Sequence, residues 1–325
     1  MLDILYSRIA RARRRYYQRR PHLRRRLSAP VISIGNLTVG GSGKTPLAAE
    51  IARLLLEMGE RPSILSRGYG RTISDAGVVV VSDAQRLLAG VECSGDEPRM
   101  LAEAVPRAAV LVSSSRYVAG RLAESRLGCT VHVLDDGFQH FDLMRDVDLL
   151  VAPDSSADAR TLPFGRLREP LDAAAAADAL LVESGTATAS SSTQLPVPVA
   201  FTFLRRIAGP PPGRPAFAFA GIARPERFFA DLEAAGWTLA GRRAFGDHHR
   251  YSGREIDEVA REARSAGAAV MLTTEKDMVR LAPIPGAGAG TTPPIVAVPL
   301  HVSIEPAFAP WLAERLRAAR AASGA

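Results

Sequence analysis

Short apolar runs alternate along the chain with stretches whose apolar residues recur every three or four positions, the pattern of strands feeding amphipathic helices in an α/β protein. In the first half the strands are VISIG from residue 31, SIL at 63–65, AVLVS at 109–113, TVHVLDD at 130–136, DVDLLVAPD at 146–154 and DALLVE at 178–183. Helices are predicted after residue 43 and from Ser115 to Leu127. A second series opens with AFTFLRR and PAFAFAGI and continues with the helix PERFFADLEAAG, a helix over 253–266, the strands AAVMLTT and IVAVPL, and a terminal helix. Between the series lies SGTATASSSTQLPVP at 184–198, small, polar and punctuated by proline, which reads as a link. The expected organisation is a layered α/β domain over 29–190 and a second α/β domain over 191–325, with no internal repeat.

Residues 1–28 follow a different pattern. Leu2, Leu5, Ile9, Ala12 and Tyr16 share one helical face, while Arg8, Arg11, Arg15 and Arg19 line another, until Pro21 interrupts. The segment holds ten arginines against one acid, Asp3, so it carries +9 of a formal net charge of +7 and leaves the rest of the chain at −2. Such a helix suits an anionic membrane interface, apolar face down and arginines among the headgroups. Packing of the apolar face on the protein body ranks second. A nucleic-acid arm ranks last, because no recognisable nucleic-acid module follows it, and no nucleic acid is expected as a partner.

Composition narrows the setting. The two cysteines, Cys93 and Cys129, have neither C-x-x-C spacing nor an evident histidine partner, so a reducing compartment with no disulfide framework and no zinc site is expected. The longest apolar runs, VVVV at 78–81 and AAAAA at 173–177, are far too short to span a bilayer, and no apolar secretory core follows the basic start. The expected location is the cytoplasmic side, with no obligate protein partner evident.

The densest chemistry lies where VISIGNLTVGGSGKTPLAAE turns from strand to helix. Glycines at 40, 41 and 43 let the backbone bend around a polyphosphate and aim its N–H groups at the oxygens, beside the positive end of the following helix. Thr38, Val39, Gly40, Gly41, Ser42, Gly43, Lys44 and Thr45 form this candidate nucleotide cradle. Lys44 is placed for the β- and γ-phosphates of ATP and the Thr45 hydroxyl for a Mg²⁺ shell. Thr38 stands where the general motif opens with glycine.

Three further groups sit at element ends. The strand VHVL terminates in Asp135 and Asp136, and an apolar strand ending in aspartate after a P-loop is the expected Mg²⁺ organiser. Capping of the turn at Gly137 is the plainer role. Asp96 and Glu97 open another helix, where by position alone an N-terminal capping role is the commoner one. His248 and His249, in FGDHHRYS, precede a helix of the second half; either could pair with a carboxylate of the first half, provided the halves close together.

Taken in order, GNLTVGGSGKTP, SRGYGR, GDEPRMLA, LDDGFQH, LPFGRLREP, AFAGIARPERFF, FGDHHRYS and TTEKD resemble the tetraacyldisaccharide 4'-kinases, the lipid A kinases of Gram-negative bacteria, up to about residue 281. The resemblance implies transfer of the γ-phosphoryl group of ATP to the 4'-hydroxyl of a tetraacylated glucosamine disaccharide 1-phosphate, giving lipid IVA. It implies a two-domain P-loop α/β architecture and an interfacial N-terminal helix on the cytoplasmic face of the inner membrane. Thr38 is similar to the family's own P-loop variant. Matched residue by residue, Asp96 corresponds to the family's proposed general base, assisted by a histidine aligned with His248. Asp136 matches the Mg²⁺-associated aspartate, with Asp135 its neighbour, and Arg168 and Glu169 of LREP look like active-site residues. Gln139 and His140 complete the DDGFQH loop with roles left open. Phe164, Arg166 and Arg280 depart from the family pattern. The alternative reading is a P-loop membrane-surface ATPase switch, which would share the cradle and the anchor but use no sugar acceptor.

Overall fold

The computed structural model describes residues 2–40, 43–71, 77–153, 160–185, 195–207, 213, 215–286 and 290–323. Strand β1 (Val31–Gly35) is buried along its whole length, as expected of a parallel strand covered on both faces. It lies near the middle of a nine-stranded sheet. On one side follow β5 (Val131–Asp135), β2 (Pro62–Ser66), β4 (Ala109–Val112) and the edge strand β3 (Val79–Asp83). On the other side follow β6 (Val147–Val151), β7 (Ala179–Glu183), β8 (Ala200–Ile207) and the opposite edge β13 (Leu300–Ile304). All neighbouring pairs are parallel except the two edges, β3 on β4 and β13 on β8. Four parallel strands form a second, smaller sheet, in the order β10 (Leu239–Ala244), β9 (Ala216–Ala220), β11 (Val270–Thr274) and β12 (Ile295–Val298).

Helix α1 (Leu2–Gln18) precedes the larger sheet, and α2 (Lys44–Glu57) follows β1 directly. The single turn α3 (Val91–Ser94) leads into α4 (Asp96–Ala104), and α5 (Arg116–Leu127) connects β4 to β5. Ser115 caps α5 by accepting from the Val118 amide, which accounts for the start expected there. With the smaller sheet come α6 (Pro225–Ala234), α7 (Gly253–Ser265), opened by a Ser252–Glu255 capping box, and α8 (Glu275–Leu281). Helix α9 (Phe308–Ser323) ends the described chain. Among the described residues no helix is long and apolar enough to cross a membrane.

The link expected over 184–198 lies largely outside the described residues, and so does the boundary at 190/191. The sheets are divided elsewhere. Strand β8 belongs to the larger sheet, so the chain leaves that sheet only after Ile207 and enters the smaller one at Ala216. It returns at Pro299: IVAVPL, which reads as one strand, is β12 of the small sheet up to Val298 and β13 of the large sheet from Leu300. A proline inside an apolar run cannot serve a continuous ladder, and here it marks the crossing. Helix α9 then packs back on the larger sheet, with Phe308, Leu312 and Leu316 buried in one core with Ile32, Ile34, Leu47, Ile51, Phe201 and Val302. The segment after Pro299 therefore completes the core of the larger sheet, a contact that local periodicity does not encode.

This packing predicts the cost of truncating Phe308, which is fully buried and lies edge-on to Phe201 at 5.2 Å. Phe308→Ala is expected to destabilise the larger domain by about 3–5 kcal/mol. Urea unfolding followed by tryptophan fluorescence, Trp311 being its neighbour, would show an earlier transition; an unchanged one would mean that α9 is not part of that core.

Candidate active site

The cradle is built from the end of β1. Gly35 has no Cβ, and one there would collide with Phe138, so the DDGFQH loop folds directly over the strand end. Gln139 Nε2 fixes that loop by donating to the Asn36 carbonyl at 3.0 Å. Asn36 Nδ2 donates to Thr38 Oγ1 at 2.9 Å, so the threonine standing in the place of the usual glycine is buried and hydrogen-bonded. Gly40 adopts φ 99° and Gly43 φ 72°, conformations open mainly to glycine. Gly41 and Ser42, both expected in the cradle, lie outside the described residues. Arg166 closes the near side: Val39 N donates to its carbonyl at 2.8 Å, and its Nη2 donates to the Val39 carbonyl at 3.0 Å.

Lys44, the first residue of α2, donates to Asn36 Oδ1 at 2.8 Å and pairs with Asp136 at 3.0 Å. Arg168 Nη1 donates to the other oxygen of Asp136 at 2.7 Å. Burial is the largest influence on Asp136 and pushes its pKa up, but Lys44 and Arg168 outweigh it and hold the carboxyl below its ordinary range. Asp135, one residue earlier and still in β5, is pushed the other way, to about 7, first by burial and then by the charges of Glu97 and Asp136. Its Oδ1 is buried with no hydrogen-bond partner among the described residues. Asp136 also takes φ 57°, a left-handed conformation that aspartate adopts more readily than most side chains, which turns its carboxylate back toward Lys44.

The structure brings Asp96 and His248 together across the two sheets. Asp96 is the first residue of α4, and His248, at φ 58°, lies between β10 and α7; His248 Nδ1 stands 3.0 Å from Asp96 Oδ2. Arg280 of α8 reaches the same carboxylate from Nε at 2.7 Å and Nη2 at 2.6 Å. Burial raises the Asp96 pKa, but His248, Arg280 and Lys276 outweigh it and hold it below the usual range. Lys276 pairs with Glu97 at 3.1 Å and stands 3.5 Å from His248 Nε2. The second histidine, His249, is engaged otherwise, pairing with Glu255 at 3.0 Å and stacking on Phe245.

Glu169 differs from its neighbour Arg168. Both of its carboxylate oxygens are taken by Arg14 of α1, at 2.7 and 2.8 Å, and the Arg14 guanidinium lies over the rings of Phe138 and Phe141 at 4.5 and 4.9 Å. Glu169 borders the crevice, and its carboxylate fastens α1 through both oxygens. Ser7 and the Asp3 carbonyl, each 2.8 Å from Thr161 Oγ1, complete the docked side. Leu2, Leu5, Ile9 and Tyr16 remain exposed. The helix thus packs through the opposite side from the apolar stripe, which settles against the simple packing reading of the sequence.

Sequence reading missed Arg14, Asn36, Lys276 and Asp277 and treated Arg280 only as a departure. The signal for the last three was the TTEKD segment together with the arginine three residues beyond it, because on a helix Lys276 and Asp277 lie four and three residues from Arg280 and share a side with it. Of these, Lys276 borders a crevice of about 1090 Å³, whose walls also include Gly43, Lys44, Asp136, Arg168 and His248.

A glycine turn with its lysine between a parallel strand and a helix, two aspartates at the end of the adjacent strand and a carboxylate–histidine pair opposite define a P-loop phosphotransferase. The chain belongs to the tetraacyldisaccharide-1-P 4'-kinase family, whose model matches residues 1–317. It is 38% identical over 302 residues to the tetraacyldisaccharide 4'-kinase of Desulfotalea psychrophila, covering 86% of each chain. Against the Geobacter metallireducens enzyme of the same name it is 40% identical over 281 residues, covering 80% of this chain and 81% of that one. The solved structure of LpxK from Aquifex aeolicus in complex with ATP shares 31% identity and 97% coverage of both chains, with a TM-score of 0.77.

The Arg14–Glu169 contact makes a prediction of its own. Both groups are nearly inaccessible, so removing one partner strands the other's charge; Arg14→Met or Glu169→Leu alone is expected to cost about 3–5 kcal/mol, and the double replacement clearly less than the sum. Urea unfolding of the three variants checks it, and additive losses would count against direct coupling.

Proposed function

We infer that the crevice transfers the γ-phosphoryl group of ATP to the 4'-hydroxyl of a tetraacyldisaccharide 1-phosphate, yielding lipid IVA, and that the residues divide the work as follows. The cradle of Thr38, Val39, Gly40, Gly41, Ser42 and Gly43 binds the polyphosphate through backbone N–H groups. Lys44 neutralises charge on the β- and γ-phosphates. An incoming phosphate competes with Asp136 for Lys44 and Arg168, so both cations are already aimed where negative charge arrives. The observation that carries this reading is the pairing of Asp96, on the larger domain, with His248, on the smaller; a switch that only hydrolyses ATP has no use for a carboxylate–histidine pair assembled from both domains.

The donor set suits Mg²⁺: a buried oxygen on Asp135 with no partner among the described residues, the adjacent carboxylate of Asp136 and the Thr45 hydroxyl are hard oxygen ligands beside a phosphate cradle. When bound, the ion supplies neutralisation of the phosphate oxygens. Asp96, kept ionised by its cationic partners, accepts the proton of the acceptor hydroxyl as the new P–O bond forms, and His248 holds its carboxylate in place.

The acceptor's acyl chains explain α1. Tyr6, Ile9, Ala10 and Arg13 line the same crevice as Lys44, while Leu2, Leu5, Ile9 and Tyr16 face outward at 57%, 54%, 59% and 46% exposure. An apolar stripe beside a run of arginines fits the anionic cytoplasmic face of the inner membrane, from which a lipid enters without leaving the bilayer.

Two outcomes test these assignments. Lys44→Ala, assayed with labelled ATP and a tetraacyldisaccharide 1-phosphate, is expected to lower turnover by at least about 10²-fold, the scale of one lost preorganised contact to developing charge. Near wild-type turnover would remove the P-loop from the mechanism. Deleting residues 1–20 is expected to abolish co-flotation with anionic vesicles while ATP binding persists, each arginine near the surface contributing about 1 kcal/mol. Unchanged flotation would put the membrane contact elsewhere.

A further inference from the structure

Arg280 is gripped from behind by the smaller domain. The Asp277 carboxylate, fully buried, accepts from the Gly221 amide at 3.1 Å, Tyr251 Oη at 3.0 Å, Thr274 Oγ1 at 2.7 Å and Arg280 Nη1 at 3.0 Å. The same Nη1 donates to the Gly221 carbonyl at 2.6 Å. One edge of the guanidinium is therefore fixed within the layer of the smaller sheet, and the other edge, Nε and Nη2, projects to Asp96 of the larger domain. A planar fork can serve two sites in this way; a lysine ammonium on a single stem cannot.

All of these contacts to Asp96 converge on one atom. Nε and Nη2 of Arg280 and Nδ1 of His248 reach Oδ2, and among the described residues no hydrogen bond is made to Oδ1. We propose that Arg280 is a positioning residue for the phosphoryl transfer: by saturating Oδ2 it leaves Oδ1 as the oxygen that takes the acceptor's proton. The anchor Asp277 lies in the smaller domain, so the base is oriented only while the two domains are in contact. In the step itself the acceptor O–H bond breaks and its proton goes to Oδ1. The oxygen's electron pair forms the bond to the γ-phosphorus, and the bond from that phosphorus to the β–γ bridging oxygen breaks, its pair leaving with ADP. Arg280 exchanges no atom and acts by fixing the carboxylate's rotation. This inference rests on the assignment of Asp96 as the base.

The test is a double-mutant cycle in the full-length enzyme, with Arg280→Met, Arg280→Lys, Asp96→Asn and the double variant Asp96→Asn/Arg280→Met. Turnover of labelled ATP with a tetraacyldisaccharide 1-phosphate, KM for both substrates and thermal unfolding are measured for each. Arg280→Met is expected to lower kcat by about 10²-fold, the scale of a misplaced reacting group, with both KM values within about 3-fold of wild type. Arg280→Lys keeps the charge but cannot span both anchors, and is expected to lose at least about 10-fold in kcat. In the Asp96→Asn background, Arg280→Met should cost less than about 3-fold more, since a residue acting through Asp96 has nothing left to position. If Arg280→Met does not fold, the cycle is run with Arg280→Lys. Losses that multiply in the double variant, a loss confined to the KM for ATP, or an Arg280→Met kcat within about 3-fold of wild type would overturn the role of Arg280 while leaving the base assignment standing. Wild-type turnover by Asp96→Asn would overturn the base assignment itself and this inference with it.

Discussion

The site depends on a buried carboxylate of one domain being held by cations of the other. Asp96 starts α4 in the layer of the larger sheet, but the groups that stabilise its charge, Arg280, His248 and Lys276, all come from the layer of the smaller sheet. A carboxylate taken out of water needs such partners, and removing one leaves an uncompensated charge. The interface between the domains therefore cannot be rearranged without disturbing this carboxylate. The two passages of the chain between the sheets, after Ile207 and at Pro299, set the smaller sheet opposite the P-loop, and α4 packs on α8 at the point of contact.

At the other end of the crevice the same physics separates two adjacent aspartates. Asp135 lies in the strand, buried, with its shift dominated by lost solvation; Asp136 lies just past it, turned by a left-handed backbone onto Lys44 and Arg168. Neighbours in sequence thus have opposite electrostatic characters. That difference suits the proposed binding of a polyanion with a hard cation beside it.

Helix α1 combines properties that the sequence presents as alternatives. Its docked side is made by Arg14, Ser7 and the Asp3 carbonyl, and its apolar stripe remains free. A guanidinium between two aromatic rings and a carboxylate fastens the helix without spending its hydrophobic residues, which stay available for a membrane surface.

The sequence by itself determined the α/β class, the glycine-rich strand-to-helix turn before Lys44, the strand-end pair Asp135 and Asp136 and the amphipathic helix, because each is a local matter of glycine conformation, strand termination or helical periodicity. It also suggested that a histidine of FGDHHRYS could meet a carboxylate of the first half, without choosing between His248 and His249 on spacing alone. Tertiary structure made that choice, sending His248 to Asp96 and His249 to Glu255. It moved β8, β13 and α9 into the larger domain, because strand pairing and core burial join residues far apart in the chain. It likewise assigned Glu169 to Arg14, 155 residues away, and Arg280 to Asp96, 184 residues away. Charge pairs of that separation leave no periodicity to read; only the packing of two sheets decides which guanidinium meets which carboxylate.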